Sequence, residues 1–209
     1  MHLEFLLEEP SATEALRILL PKIIGAQATY DIHPFQGKTD LLGKLPRRLR
    51  GYKHWQGDLR VLLLIDRDDQ DCRQLKAQLE AIAHSTGVAT KSAPAPDGRF
   101  LVINRIVVRE LEAWFFGDVA ALVTAYPRLS RKKLSKAKYR DPDAISDTWE
   151  ALEKVLQEVG EHLGGLEKIR AAREIAAHMD PQRNRSASFC LFRDTLLELV
   201  NPALNPATE

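Results

Sequence analysis

The sequence has few cysteines, no long apolar run and almost no net charge, and each of these absences excludes a class of protein. Its two cysteines among 209 residues, Cys72 and Cys190, lie far apart and match neither a disulfide framework nor a metal-binding spacing. No segment approaches the roughly 20 consecutive apolar residues that span a bilayer. The first residues lack the basic region and apolar core of a signal peptide. We therefore expect a cytoplasmic protein that does not associate with membranes.

Several catalytic motifs are also missing. The sequence contains no P-loop, no G-x-G-x-x-G and no G-x-S-x-G motif, so ATP hydrolysis within this chain is not expected. Its six histidines show neither the H-E-x-x-H motif nor a His/Cys zinc spacing. The familiar zinc and nucleotide-binding classes are therefore not indicated.

The 30 Lys and Arg residues nearly cancel the 29 Asp and Glu residues, which leaves a formal net charge of +1. This balance excludes a polycation that binds nucleic acid through bulk charge, so any polyanion would have to be bound locally. One basic run, Lys44–Lys53, contains Arg47 and Arg48 beside the aromatic residues Tyr52 and Trp55. Such a run is either a solvated face or a contact for a phosphate backbone, and the sequence leaves both open.

Two further segments could contact phosphate. The run Arg128–Arg140 includes Lys132 and Lys133 and contains no acidic residue. A predicted polar turn at residues 183–186 could bring Arg185 close to a phosphate group. Its Asn and Ser side chains could instead cap the following helix.

The chain begins with an alternation of strand-like and helical segments. Strand patterns lie at His2–Leu7, Ala28–Phe35, Leu59–Ile65 and Phe100–Val108. The third is a continuous apolar run, which is typical of a strand buried on both faces in a parallel sheet. This alternation predicts an α/β fold in which a mostly parallel sheet is flanked by helices.

The helices between these strands have their own start and stop signals. Ser11 and Glu14 form an S-x-x-E capping box, which predicts a helix that begins at this point. A second helical segment follows Gly37 and is expected to be interrupted at Pro46. Arg109–Phe116 also has a helical pattern.

After Gly117 the strand patterns stop. Helical patterns continue at Asp141–Val159, Leu166–Met179 and Ser188–Val200. We therefore predict an α/β core over residues 1–117, an all-helical C-terminal extension over residues 118–200, and a flexible tail over residues 201–209.

Acidic residues follow two of the predicted strands. Glu8 and Glu9 come after the first strand, and Asp66, Asp68 and Asp71 come after the most apolar one. Sites in open α/β sheets form outside the carboxyl ends of the strands, so these groups are expected to converge. Carboxylates are favoured ligands of Mg²⁺ and Mn²⁺. Capping of the next helix explains one or two of these acids, but so many adjacent negative charges favour a bound cation.

Glu110 and Glu112 form a weaker candidate pair. Residues two apart do not share a face of a regular helix. Both could reach one site only if the junction between strand and helix falls between them.

The acidic motifs resemble those of the Toprim fold of topoisomerases, primases and the overcoming-lysogenization-defect nucleases. In that fold a Glu follows the first strand and an Asp-x-Asp follows a later buried strand. Here Leu7-Glu8-Glu9 looks like the first motif, with Glu9 in place of the usual Gly, and Asp66-Arg67-Asp68 looks like the second.

Nearly the whole chain also resembles the bacterial, Toprim-like domain-of-unknown-function 4276 family. The stretches that carry this resemblance are His2–Ser11, Asp31–Lys44, Leu64–Cys72, Glu110–Asp118, Arg140–Leu152 and His178–Phe192. The resemblance implies a Toprim-like sheet with metal-dependent phosphodiester chemistry, in genome defence or mobile-element conflict beside an ATPase partner.

The resemblance also implies roles for particular residues. Glu8, Asp66 and Asp68 would be catalytic and would bind Mg²⁺ or Mn²⁺, and Asp71 and Glu112 would add further ligands. A basic residue near the scissile phosphate is also implied, for which Lys168 and Arg185 are the candidates.

Two main hypotheses follow. The first is a Mg²⁺- or Mn²⁺-dependent nuclease that acts on nucleic acid, with DNA preferred as substrate, and uses Arg47, Arg48, Lys132, Lys133 and Arg185 as phosphate contacts. The second is a regulatory or binding module that keeps a Mg²⁺-binding acidic pocket and partners an ATPase; Glu9 favours it by crowding the backbone where Gly is usual. A phosphoacceptor switch with Asp66 as acceptor ranks last, because no Thr/Lys pair is evident at later strand ends.

Overall fold

A four-stranded parallel sheet flanked by helices organises the first part of the chain in a computed structural model that describes residues 1–108 and 110–201. Its strands are β1 (His2–Leu7), β2 (Thr29–Pro34), β3 (Leu59–Asp66) and β4 (Val102–Val107), in the order β2-β1-β3-β4. The helices are α1 (Pro10–Ile24), α2 (Lys38–Tyr52), α3 (Cys72–Ser85), α4 (Glu112–Gly117), α5 (Val119–Ala125), α6 (Arg131–Leu134), α7 (Thr148–Gln157), α8 (Lys168–His178) and α9 (Ala187–Val200). The predicted α/β class with a parallel sheet is confirmed.

Strand β1 lies inside the sheet and pairs in parallel with both β2 and β3, so that Leu6 is opposite His33 on one side and Leu63 on the other. One face of the sheet packs against α2 and α3 through a cluster of buried side chains. Its members include Leu6, Leu41, Leu45, Leu49, Leu63, Ile65, Leu75 and Leu79. The continuous apolar run in β3 is explained by this burial, because side chains on both faces of the strand are removed from water.

Two predicted helix boundaries are wrong. Helix α2 runs without interruption through Pro46, although the proline removes one backbone donor. Burial of Leu41, Leu45 and Leu49 along one face of α2 offsets that loss. Helix α1 begins at Pro10, and the hydroxyl of Ser11 donates to the Glu9 carboxylate instead of capping the helix.

The chain divides into two compact units. The first comprises Met1–Thr13 and Ala26–Ile106, and the second comprises Glu14–Gly25 together with the chain from Val107 onward. The boundary predicted at Gly117 therefore lies inside the second unit. The predicted tail at 201–209, apart from Asn201, and the side chain of Arg109 lie outside the described residues.

The second unit is helical in the part of the chain that is described. The indole of Trp114 contacts the rings of Phe189 and Phe192, each with centroids 5.1 Å away. The helix predicted at Asp141–Val159 begins later, at Thr148, and the predicted range opens instead with a 3₁₀ turn at Pro142–Ala144. None of the described helices is long and apolar enough to cross a membrane.

Candidate active site

The acidic motifs lie at the point where the strand connections diverge. From β1 the chain moves to β2 at one edge of the sheet, whereas from β3 it moves to β4 at the other. In open α/β sheets this divergence leaves a crevice outside the carboxyl ends of the two strands. Glu8 directly follows β1, Asp66 is the last residue of β3 and Asp68 comes two residues later. The predicted convergence of the two motifs at the carboxyl ends of β1 and β3 follows from this topology.

Glu8 is held in place by backbone contacts. Its carboxylate Oε2 accepts a hydrogen bond from the Asp66 amide at 3.0 Å, and its carbonyl accepts one from the Gly37 amide at 3.0 Å. The residue is 9% exposed. Burial raises the pKa of Glu8, while the charge of Lys38 and the hydrogen bond from Asp66 act in the opposite direction. A fixed carboxyl group with raised proton affinity suits general acid/base chemistry.

Lys38 is a site residue that the sequence analysis missed. It begins α2, and its Nζ lies 2.5 Å from Asp68 Oδ2 and 3.4 Å from Gln70 Oε1. A cation in the first turn of a helix opposes the helix dipole, so the nearby carboxylates account for its position. The signal in the sequence that could have identified Lys38 was its position just after β2, because the carboxyl ends of parallel strands lie on the same side of the sheet as Glu8.

Asp68 adopts a left-handed backbone conformation with φ of 51°, which is uncommon outside glycine. Its carboxylate pairs with Lys38, whereas the Arg67 guanidinium donates to the backbone carbonyl of Asp68, at 3.4 Å. The loop after β3 is thus arranged so that Asp68 and Lys38 neutralise each other beside Glu8.

Asp71 caps helix α3. Its Oδ1 accepts hydrogen bonds from the amides of Arg73 and Gln74, each at 2.9 Å. The capping explanation therefore applies to Asp71, and one carboxylate oxygen is committed to it. A role for Asp71 in metal binding stays a prediction.

Glu110 and Glu112 belong to the second unit, and the start of α4 falls between them. Glu110 Oε2 accepts hydrogen bonds from the Thr148 hydroxyl at 2.7 Å and the Trp149 amide at 3.0 Å. Glu110 thus holds the beginning of α7. Glu112 is 2% exposed, and its role as a metal ligand stays a prediction.

The first basic run lines a cavity. Arg47 and Arg48 lie on α2 and, with Lys44, Gly51, Tyr52 and Trp55, surround a space of about 530 Å³. This combination of cations and aromatic faces suits a phosphate-bearing ligand.

The other predicted phosphate contacts lie in the second unit. Lys132 and Lys133 are on the short helix α6, where Lys133 pairs with Glu158. Arg185 is exposed in a turn, and its amide donates to the Gly117 carbonyl at 3.0 Å. Lys168, the other candidate for the basic residue near the scissile phosphate, lies over the Trp149 ring.

Ser186 caps α9 by accepting a hydrogen bond from the Phe189 amide at 3.2 Å, so this end of the turn is structural. The neighbouring Asn184 donates to the Trp114 carbonyl at 2.8 Å. These contacts fix the backbone on either side of Arg185.

A second cluster of potential metal ligands lies on the strands themselves. In residues 1–108 and 110–201, one group of three such side chains has ligand atoms that all lie within 4.8 Å of one another, namely His2, Glu4 and Asp31. Glu8, Asp66 and Asp68 do not form a group of this kind. Sequence spacing missed the cluster because its members come from two neighbouring strands, with Glu4 directly opposite Asp31.

A model of one protein family, described as a domain of unknown function (DUF4276), matches residues 7–199. The matched region includes both motifs at the carboxyl ends of the strands. No curated protein and no solved structure matches the chain.

Proposed function

Because the chain belongs to the DUF4276 family, a domain of unknown function, we propose its activity from its own residues: metal-dependent cleavage of phosphodiester bonds in nucleic acid, with DNA as the preferred substrate. The observation that carries this proposal is the hydrogen bond from the Asp66 amide to the Glu8 carboxylate at the crevice between β1 and β3, with Asp68 two residues after Asp66. The resemblance of these motifs to Toprim nucleases supports the same reading. A role in defence or mobile-element conflict, in the cytoplasm, is part of the proposal.

The donor atoms suit Mg²⁺ or Mn²⁺. Asp66 and Asp68 offer carboxylate oxygens, and the ammonium group of Lys38 at 2.5 Å from Asp68 indicates that this position attracts a cation. These two aspartates would hold the metal, with Glu8 beside them and Asp71 as a further candidate. When bound, the metal would polarise a phosphoryl oxygen and lower the pKa of water.

Glu8 and Lys38 supply the chemistry of the chain itself. With Oε2 fixed by the Asp66 amide, Glu8 would take or give a proton at Oε1. Lys38 would leave Asp68 for a phosphate oxygen of the substrate, so that its charge opposes the charge that develops there. Lys38 is then the basic residue near the scissile phosphate, in place of Lys168 or Arg185.

The decisive experiment is cleavage of plasmid and single-stranded DNA with Mn²⁺ by the full chain and by Asp66→Ala. Asp58→Ala is a matched control, because Asp58 is an exposed aspartate that precedes β3 at its opposite end. We expect Asp66→Ala to lower the rate at least a hundredfold and Asp58→Ala to leave it unchanged, on the order of effects measured for groups that act in the transition state. Cleavage that is independent of metal or equal in both variants would refute the proposal.

Variants of Lys38 provide a second test in the same assay. The charge of Lys38 lowers the pKa of Glu8. We expect the cleavage rate to rise as Glu8 ionises, so in Lys38→Met this rise should occur at a higher pH. Lys38→Arg, which keeps the charge, should move it less.

The alternative is a binding module without turnover, and the Lys38–Asp68 ion pair favours it. Because Lys38 already neutralises Asp68, this aspartate needs no metal to balance its charge, and the crevice could serve a partner such as an ATPase. Tight binding of Mg²⁺ or of a partner ATPase, without cleavage under any metal, would select this alternative.

A further inference from the structure

The group of His2, Glu4 and Asp31 lies apart from the candidate active site. All three side chains project from the face of the sheet that α2 covers, since Glu4 and Asp31 are paired residues and His2 is two positions before Glu4. Glu4 precedes Glu8 by four residues of extended chain, which corresponds to about 13 Å along β1. The group therefore cannot share a metal with the acidic motifs at the carboxyl ends of the strands.

The distances within the group match a metal site better than a hydrogen-bonded network. His2 Nε2 lies 3.5 Å from Glu4 Oε1 and 3.5 Å from Asp31 Oδ2. These separations exceed the 2.7–3.2 Å of ordinary N–H···O hydrogen bonds. Ligand atoms about 2.0–2.2 Å from a tetrahedral Zn²⁺ are about 3.3–3.6 Å from one another, which is the spacing of both pairs that include His2.

The imidazole of His2 is oriented for coordination. Its Nδ1 is 2.8 Å from the Thr29 hydroxyl, and its Nε2 is buried without a hydrogen-bond partner in the described chain. With Nδ1 donating to Thr29, Nε2 presents a lone pair toward two carboxylates, an arrangement that a bound cation stabilises. A second hydrogen bond that fixes the tautomer in this way is usual for metal-binding histidines.

The other members are supported as well. Glu4 is 5% exposed, and its Oε2 lies 3.0 Å from the Tyr52 hydroxyl and 2.5 Å from His33 Nε2. These contacts leave Oε1 to face His2. The indole of Trp55 stacks on the His2 ring at 5.5 Å and covers one side of the group. Asp31 is largely exposed, so one side remains open to solvent.

We propose that His2, Glu4 and Asp31 bind a divalent transition metal of the zinc class, with water or an anion in the fourth position. One imidazole and two carboxylates form the ligand type found in open zinc sites, and the imidazole favours such metals over Mg²⁺. The metal would link β1 to β2, which lies at the edge of the sheet beside β1. Binding would therefore raise the thermal stability of the chain.

The test uses the full chain without a polyhistidine tag, stripped of metal by a chelator and titrated with Zn²⁺ by calorimetry and with Co²⁺ by visible absorption. We expect one equivalent to bind at this group, in the wild-type chain and in Asp66→Ala alike, with a tetrahedral or five-coordinate cobalt spectrum. His2→Ala and Asp31→Asn should each weaken binding at least tenfold, which is the smaller end of losses seen when even supporting groups of a site are removed. His54→Ala, which removes an exposed histidine outside the group, should leave binding unchanged.

Two outcomes would overturn the proposal. One is the absence of stoichiometric binding, and the other is binding that survives Asp31→Asn while it is lost in His2→Ala, because the ligands would then be the terminal amine and the imidazole. Asp66→Ala should retain the site, so the result does not depend on the proposed phosphodiesterase activity.

Discussion

At the scale of single residues, Glu8 combines burial with a fixed orientation. The Asp66 amide and the charge of Lys38 stabilise its anion, yet burial outweighs them and the pKa of Glu8 is raised. Such a group lowers the stability of the folded chain when it is charged. Glu8 is therefore placed for chemistry at the expense of folding free energy.

This conflict leads to a prediction for Glu8→Gln. Since the folded-state pKa exceeds the unfolded value, the contribution of the protonated group is present at acidic pH and is lost as pH rises through the folded pKa. Glu8→Gln keeps the hydrogen-bond acceptor without the charge, so we expect a higher Tm at neutral pH. Each 1 kcal/mol gained in a chain of this size raises Tm by about 2–4 °C.

The gain from Glu8→Gln should shrink toward zero below about pH 4, where unperturbed Glu is itself protonated. Thermal unfolding at pH 7 and pH 4 checks this. A variant that is less stable than the wild-type chain at pH 7 would show that the Lys38 interaction outweighs burial.

At the scale of secondary-structure elements, ion pairs and caps join the short helices of the second unit. Asp118 caps α5 by accepting from the Ala121 amide, and it also accepts from the Asp180 amide and from two nitrogen atoms of Arg183, both at 2.8 Å. Burial acts to raise the pKa of Asp118, but these donors outweigh it and hold that pKa below its usual range. One carboxylate thus fixes α5 and the turn after α8.

We expect Arg183→Ala to destabilise the chain by about 1–3 kcal/mol, because it leaves the buried Asp118 carboxylate without its ionic partner. The depressed pKa means that this contribution is present above the unfolded pKa of Asp and is lost as pH falls through the folded value. Urea unfolding at pH 7 measures the change. Arg185→Ala, in the same turn, is the control and should be neutral; equal effects of both variants would contradict the assignment.

The elements also indicate what the sequence could predict. Local patterns located all four strands, and β3 gave the clearest signal because a strand buried on both faces needs an apolar run such as Leu59–Ile65. The alternation of strands and helices also predicted that Glu8 and Asp66 lie at the carboxyl ends of their strands. Local patterns failed at Pro46, where packing of the leucine face outweighs a lost backbone hydrogen bond.

Two features of the sites could not be predicted from the spacing of residues in the sequence. Lys38 pairs with Asp68 across 30 positions, and His2 meets Asp31 across two strands. Both contacts depend on strand order and register, which local sequence patterns do not reveal. The spacing rules for histidine detect only metal ligands that lie close together in the sequence. They therefore gave no indication of a metal site whose ligands come from two strands.

At the scale of the whole molecule, the net charge of +1 conceals a separation of charges. Carboxylates gather at the carboxyl ends of β1 and β3, whereas Arg47 and Arg48 line a cavity on α2 in the same unit. Binding of a polyanion would then rest on a few local contacts.

We therefore expect the double variant Arg47→Ala/Arg48→Ala to weaken DNA binding and to reduce the dependence of log K on log salt by about two, since each phosphate contact contributes about one. Fluorescence anisotropy over a series of salt concentrations measures both quantities. Arg99→Ala removes an exposed arginine that pairs with Asp97 and should change neither. An unchanged slope in the double variant would exclude these two arginines as phosphate contacts.

The division of helix α1 between the two units has a consequence for how the chain can be shortened. Residues up to Thr13 belong to the first unit and those from Glu14 to the second, so the chain enters the second unit, returns to the first and leaves it again. No single cut of the chain separates the two units. Truncation from one end therefore yields neither unit complete and alone, in keeping with a family region that extends from residue 7 to residue 199.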